Sequence, residues 1–360
     1  MGADLSYLPP EARHYLSELE SRHAINEATQ ILDRCRELKV LVVGEAIIDE
    51  YEYCETIGKS GKEPILAARY VSSERFAGGS LAVANHAAGF CDHVGLLTFL
   101  GASNSHEEFI RSSLSSAVQP VFLYRDNAPT ITKRRFVEMY PFQKLFEVYI
   151  MDCDHERTAD SITESRAFSS RLRQMLPEYD IVIAADFGHG MIGTDAVEIL
   201  CSEARYLAVN TQMNADNRGF NTISKYSRAD YICFSENEIR LEARSRSREI
   251  KSIILEVAEK LSCPRILVTQ GKRGSLGYDR EEGFLEVPAF TARIVDRVGA
   301  GDAVFAVSAL CAREKMPLEL AGLVANAVGA EAVGIVANRS AIQRAELFDY
   351  LHALRDRHRE

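Results

Sequence analysis

The sequence predicts an α/β fold: a mostly parallel central sheet with helices on both faces, and a small antiparallel sheet projecting from it as a lid. Three observations predict it. Short apolar runs at 39–43, 94–99, 180–184, 206–209, 231–234 and 265–269 are mostly separated by stretches of helical spacing, the alternation that parallel crossover units require. Two regions, 51–71 and 121–150, break that rhythm with alternating β-formers such as Thr130, Thr132, Phe136, Val137 and Phe146. A chain of 360 residues, 46% hydrophobic and 26% charged, can bury one large core.

Taken in order, residues 1–38 carry Pro9-Pro10 and then a polar helix in which Ile25, Ala28, Leu32 and Cys35 share one face. This reads as a helical extension or linker ahead of a main domain over 39–345. The run at 39–43 is the first buried strand. Ala77-Gly78-Gly79-Ser80 leads into a helix over 81–89, and the strand at 180–184 runs on to Asp186. Residues 210–225, dense in amides and hydroxyls, fit a polyhydroxylated ligand, an oligomer contact or ordinary turns. A strand is expected at 290–295. Beyond it Ala303, Val304, Ala306, Val307, Leu310 and Cys311 recur with helical spacing, and residues 346–360 read as a C-terminal helix.

Composition excludes several classes. No apolar run, 181–185 included, is long enough to span a bilayer, so no membrane partner is expected. The first ten residues lack the basic flank and apolar run of a signal peptide, which points to the cytoplasm. Eight cysteines without a C-x-x-C pair read as reduced thiols. A net charge of −10 argues against nucleic acid, and nine histidines without ligand spacing argue against a histidine metal centre.

The run Asp296-Arg297-Val298-Gly299-Ala300-Gly301-Asp302 carries the chemistry. Gly299, Ala300 and Gly301 should open a helix whose unpaired amides face an incoming anion, with no side chain between backbone and phosphate. Asp302 beside that turn is placed to deprotonate a hydroxyl, the pattern of a phosphoryl-transfer site. A glycine-rich turn with a structural aspartate is the competing reading.

These residues resemble the ribokinase-like (PfkB) family of sugar kinases over roughly 39–344. Asp296 to Asp302 is similar to the family's C-terminal signature, Ala77-Gly78-Gly79-Ser80 to its N-terminal one, and Gly44-x-x-x-x-Asp49 to its first strand end. The resemblance implies a ribokinase-like three-layer sandwich with a β lid. Within the family, Ala128-Pro129-Thr130-Ile131-Thr132-Lys133-x-Arg135 and Ala185-Asp186-Phe187-Gly188-His189-Gly190 look most like the heptose 7-phosphate kinases, the kinase half of bifunctional ADP-heptose synthesis proteins.

That likeness implies an acceptor sugar phosphate between lid and sheet, contacted by Asp49, Gly78, Gly79, Asn85 and Asp186, with Lys133 and Arg135 clamping the phosphate it already carries. ATP is expected over Ser235, Thr269, Gly271 and Gly274 and near Asn326, and Glu238 is expected to organise hydrated Mg2+ through water. A homodimer through the lid strands is implied. So is a separate nucleotidyltransferase, because no H-x-G-H motif is present. Structural readings stay open beside these: an edge-strand charge for Lys133 and Arg135, helix packing for Asn85, a cap for Glu238, local amide capping for Asp49, a buried anchor for Asp186 and a plain turn for 269–274.

Several positions depart from the family pattern. Ser235 replaces an asparagine, Val298 a threonine, Ala82 an asparagine and Glu45 the first-strand aspartate; His189 replaces a lysine, and Asn210-Thr211-Gln212 stands for Asp-Pro-Lys. Three functions therefore remain: a heptose 7-phosphate kinase acting on the anomeric hydroxyl, a kinase of a hexose phosphate or nucleoside, and a catalytically weak protein that binds sugar phosphate and nucleotide.

Overall fold

The computed structural model describes residues 8–20, 24–151 and 159–356. Helices α1 (Pro10–Glu20) and α2 (Ala24–Arg34) precede β1 (Lys39–Gly44). The chain leaves the core as the long strands β2 (Ala46–Lys59) and β3 (Leu66–Gly79), then returns through α3 (Ser80–Ala88) to β4 (His93–Ser103). After α4 (Glu107–Ser113) and β5 (Val118–Pro129) comes a second excursion, β6 (Ile131–Glu138) and β7 (Gln143–Ile150). Helices and strands then alternate as α5 (Ala159–Met175), β8 (Ile181–Asp186), α6 (Thr194–Glu203), β9 (Leu207–Thr211), β10 (Tyr231–Ser235), α7 (Glu236–Glu242), α8 (Ile250–Lys260) and β11 (Arg265–Thr269). An edge hairpin, β12 (Ser275–Asp279) and β13 (Gly283–Val287), leads to α9 (Ala300–Arg313), α10 (Leu318–Ala332) and α11 (Arg344–Asp356).

Nine strands form the central sheet in the order β13-β12-β11-β10-β9-β8-β1-β4-β5, parallel from β11 to β5 and antiparallel at the β12–β13 edge. The middle strands are continuous apolar runs because both their faces are covered. Along β1, Val40 and Val42 enter one core while Leu41 and Val43 enter the other, and β8 alternates likewise through Ile181, Val182, Ile183 and Ala184. One face is covered by α3, α9 and α10, the other by α5, α6 and α8.

The structure departs from the expected elements in four places. Residues 121–129 belong to β5, which pairs with β4 in the main sheet, so the second lid segment starts at β6. The lid sheet, ordered β3-β2-β6-β7, has antiparallel outer pairs, but its central pair β2–β6 is parallel. Residues 290–295 are irregular, and the amides of Val295 and Asp296 donate to the Val333 carbonyl. Finally, the apolar face of the first helices is buried in the main core: Ala12, Leu16, Ile25, Ala28 and Leu32 pack into it beside Leu347 and Leu351 of α11. Residues described before 39 are thus part of the domain's packing rather than an appendage. Of the expected helix over 346–360, the part beyond 356 lies outside the described residues.

Candidate active site

Because β1, β8, β9, β10 and β11 are parallel, Gly44, Asp186, Thr211, Ser235 and Thr269 all fall at one edge of the sheet, where ligands of open α/β folds collect. The turn into α9 reaches the same edge. Gly299 holds φ at 83°, and a Cβ there would lie 2.0 Å from Oδ1 of Asn338, so both backbone and space demand glycine. At Gly301 a Cβ would meet nothing within 4 Å. Apart from the Ala300 amide, which donates to the Arg297 carbonyl at 3.4 Å, the first turn of α9 therefore presents its amides to open space with no side chain in the way.

That space is a cavity of about 450 Å³ walled by Gly299, Gly301 and Asp302 on one side and by lid residues Asp49, Lys133, Arg135, Glu147 and Tyr149 on the other. Asp302 is 8% exposed and accepts a hydrogen bond from Gln212 Nε2 at 2.7 Å. Burial pushes its carboxyl up to about 7; the Asp49 and Glu238 carboxylates add to the rise, and the Lys133 ammonium and the Gln212 amide oppose it. A buried carboxylate poised near neutrality suits a general base.

Residues Asp49 and Lys133 are register partners on β2 and β6, and Arg135, two residues on, shares the face of Lys133. Asp49 also explains Gly78, and the backbone before β2 explains Gly79. A Cβ at Gly78 would lie 2.1 Å from Asp49 Oδ2, and one at Gly79, where φ is 59°, would lie 2.5 Å from the Glu45 carbonyl. The Lys133 side chain is buried, with Nζ 5.0 Å from the centre of the Tyr149 ring; burial pushes its ammonium down, against the pull of Asp49. Arg135 is ion-paired to Asp49 and, at 3.1 Å, to Glu147. Its fork is therefore occupied by protein carboxylates, and the expected clamp of Lys133 with Arg135 is not formed by two available cations.

Three expected acceptor contacts do not line the cavity: Gly78, packed against Asp49, and Asn85 and Asp186, which are engaged elsewhere. Asn85 accepts from the Ser115 amide and donates to the Ser113 carbonyl, both at 2.9 Å, so it fastens the turn after α4. Asp186 is 1% exposed and does not line the cavity. It accepts from Tyr226 Oη at 2.8 Å, Lys225 Nζ at 2.5 Å, and the Gly188 amide and Asn221 Nδ2 at 3.2 Å each, which ties the segment 210–225 to the end of β8. A buried aspartate with that many donors has no lone pair directed at a sugar.

The residues expected around ATP form a second group next to the cavity. Ser235 and Thr269 are register partners, Thr269 pairs with Ser275, and Ser275 Oγ accepts from Asn326 Nδ2 at 2.7 Å. Gly271 and Gly274 shape the turn after β11 with φ of 59° and 96°. Ser235 caps α7 in a reciprocal box with Glu238: Glu238 Oε2 accepts the Ser235 amide at 2.6 Å, and Oε1 accepts the Met213 amide at 3.2 Å. Burial raises the Glu238 carboxyl. Glu45, the departure from aspartate, accepts from the amides of Phe187 and His189 at 3.0 Å and of Met191 at 3.3 Å, so it organises the loop after β8.

Several site residues were not singled out from sequence. Gln212, Glu147, Tyr149, Arg218 and Arg297 line the cavity; Gln212 stands where a strand-end lysine was expected, Arg218 falls in the polar segment 210–225 and Arg297 in the signature run, while Glu147 and Tyr149 carried no signal. Asp296, first of the signature, is buried and accepts from Tyr51 Oη at 2.6 Å, the Val298 and Ala337 amides at 3.1 Å, and Lys144 Nζ. Burial alone would raise its carboxyl, but Lys144, Tyr51 and the Val298 amide together hold it below its ordinary value.

The fold and cavity are those of a sugar kinase with a lid over the C-terminal edge of its sheet. Residues 37–342 match the pfkB family carbohydrate kinase pattern, and the chain belongs to that family. It is 28% identical over 301 residues to a bifunctional protein HldE of Rhodopseudomonas palustris, covering 82% of this chain and 59% of that one. The HldE of Vibrio vulnificus is 26% identical over 319 residues, covering 88% and 64%. The chain thus spans about three-fifths of the length of these relatives. Among solved structures, Arabidopsis thaliana ribokinase complexed with ribose and ATP matches with a TM-score of 0.64 at 17% identity, and Escherichia coli phosphofructokinase-2 in complex with substrates and products with 0.68 at 14%; each match covers 88% of this chain and 99% of the other. At those identities they establish the shared fold.

Proposed function

We propose that this kinase transfers the γ-phosphoryl group of ATP to the anomeric hydroxyl of a heptose 7-phosphate or a close relative. The observation that carries the reading is the placement of Asp302: buried, held by Gln212, beside the glycine turn and across one cavity from Asp49 and Lys133. The HldE relatives and the likeness of 128–135 to heptose 7-phosphate kinases support the choice of acceptor. In the reaction the acceptor O–H gives its proton to Asp302 as its oxygen bonds to the γ-phosphorus. The bond from phosphorus to the bridging oxygen breaks, and ADP leaves. Amides at Gly299, Ala300 and Gly301 and the Lys133 ammonium stabilise the charge spread over the transferring oxygens.

The donor ATP is assigned to the group formed by Ser235, Thr269, Gly271, Gly274 and Asn326. Mg2+ bound with ATP would neutralise its phosphate oxygens. Glu238 fits a role through water, since each of its oxygens already accepts a backbone amide and Asp302 feels its charge. No described helix is long and apolar enough to cross a membrane, and a cytoplasmic kinase is proposed. Apolar side chains exposed on the lid, such as Ile57, Leu66, Tyr70 and Phe146, support a homodimer. A nucleotidyltransferase acting on the product would lie outside this sequence.

The test is product identity. Pure protein incubated with ATP, Mg2+ and D-glycero-D-manno-heptose 7-phosphate should yield ADP and a sugar whose phosphorus NMR shows a second, anomeric phosphate. A product phosphorylated at another carbon, or turnover confined to nucleosides, would refute the assignment.

A further inference from the structure

We propose that Arg218 and Arg297, at the rim of the Asp302 cavity, hold the phosphate that the acceptor sugar already carries. The proposal rests on the phosphorylated acceptor above and adds which residues recognise its phosphate. Four cationic side chains line the cavity, against the three carboxylates of Asp49, Glu147 and Asp302. Arg135 is held by two of those carboxylates. Lys133 is buried in the fields of Asp49 and Asp302, at the reacting end. Arg218 and Arg297 remain: both are exposed, and neither has a hydrogen-bond or ion-pair partner among the described residues.

Sugar chemistry decides where a cation is needed. In an aldose phosphorylated on its terminal carbon, the phosphate lies at the opposite end from the anomeric oxygen. With that oxygen at Asp302, the phosphate points away from the buried wall that holds Lys133 and toward the rim. Hydroxyls are satisfied by neutral partners, whereas a phosphate dianion calls for cations, and guanidinium forks match its oxygens. The two arginines come from separate walls, Arg218 from the loop after β9 and Arg297 from the turn before α9, so they can grip one group from two sides.

The Arg218 loop is a firm platform. Asn214 Oδ1 accepts the Asp216 and Asn217 amides at 2.9 and 3.1 Å, and Asn217 Nδ2 donates to the Phe187 carbonyl at 2.7 Å. The same loop supplies Gln212 to Asp302. One segment therefore touches the catalytic carboxylate at its start and carries a rim cation six residues later, which couples recognition of the phosphate to placement of the base.

The experiment compares Arg218→Gln and Arg297→Gln with the wild-type chain, using D-glycero-D-manno-heptose 7-phosphate and the unphosphorylated heptose as acceptors. Steady-state kinetics gives kcat/KM for each sugar and KM for ATP; calorimetry without nucleotide gives Kd for each sugar. Each variant should reduce the preference for the phosphorylated sugar by roughly 10- to 100-fold in both kcat/KM and Kd, the range of one lost charge-assisted hydrogen bond. No matching rise in KM for ATP should accompany it, and Arg218→Lys should recover part of the preference. Equal weakening of both sugars, a rise confined to KM for ATP, or an unaltered preference would overturn the proposal. Calorimetry separates it from the kinase reading: phosphate-dependent binding that the variants lose, in a protein that does not turn over heptose 7-phosphate, upholds the arginines and removes the assigned reaction.

Discussion

At the residue scale, Asp302 shows what the site costs the fold. Its carboxyl is raised to about 7 from an ordinary 3.8, so the folded protein binds that proton more tightly than the unfolded chain. The sign follows: stability is lost as pH climbs between those values, and the full penalty applies above 7. Asp302→Asn removes the penalty, so its thermal midpoint should rise above wild type by a margin that grows from pH 5 to pH 8, measured by scanning calorimetry. Lys133 opposes the shift. Lys133→Met should therefore move the acid limb of the kcat/KM pH profile, which reports the free enzyme and is expected near 7 in the wild type, to higher pH; a limb that moved down would contradict the geometry.

The glycine turn and the position of Asp302 beside it were legible because their requirement is local: a turn with positive φ, a close backbone approach and a carboxylate in the first turn of a helix. Glu147 was not, since its role depends on a contact with Arg135 across 12 residues of chain and nothing in its own neighbourhood marks it; Gln212 was marked only as a departure at a strand end, and its contact with Asp302 lies 90 residues away. Asp186 misled for a physical reason: a strand-end aspartate looks the same whether it faces a ligand or, as here, Tyr226 and Lys225.

At the element scale, the lid is tied to the glycine turn before α9 through one buried carboxylate. Tyr51 of β2 and Lys144 of β7 both donate to Asp296, three residues before Gly299. The order of that turn should therefore depend on the lid's position. Lys144→Met leaves Asp296 its Tyr51, Val298 and Ala337 donors, so the fold should persist while kcat falls by roughly 10- to 100-fold, the cost of a loosened reacting geometry. Stopped-turnover assays with saturating acceptor and ATP would read that fall directly. The central strands were legible because burial on both faces leaves an uninterrupted apolar run, as in Ile181 to Ala184. The boundary at β5 was not: a half-buried edge strand of the main sheet alternates as a lid strand does, and only its pairing with β4 tells them apart.

At the scale of the whole molecule, the lid leaves several apolar side chains uncovered. Phe146 is 58% exposed and stacks on Phe136 with ring centres 4.4 Å apart, while Ile57, Leu66 and Tyr70 are each at least 60% exposed. Apolar area of this kind on a projecting sheet suits a second copy. Sedimentation should give about twice 40.1 kDa, and Phe146→Glu should shift it to the single-chain mass. The helices before residue 39 were misjudged at this scale, because an amphipathic stripe records that a face is covered and not by what; here the main core covers it.

The central claim is that Asp302 takes the acceptor's proton inside the lidded cavity. ADP release with heptose 7-phosphate, ATP and Mg2+, followed for wild type and Asp302→Asn, tests it most directly. Turnover should drop by roughly 10²- to 10⁴-fold in the variant while calorimetric binding of the sugar persists. An Asp302→Asn protein that releases ADP at the wild-type rate would contradict the account.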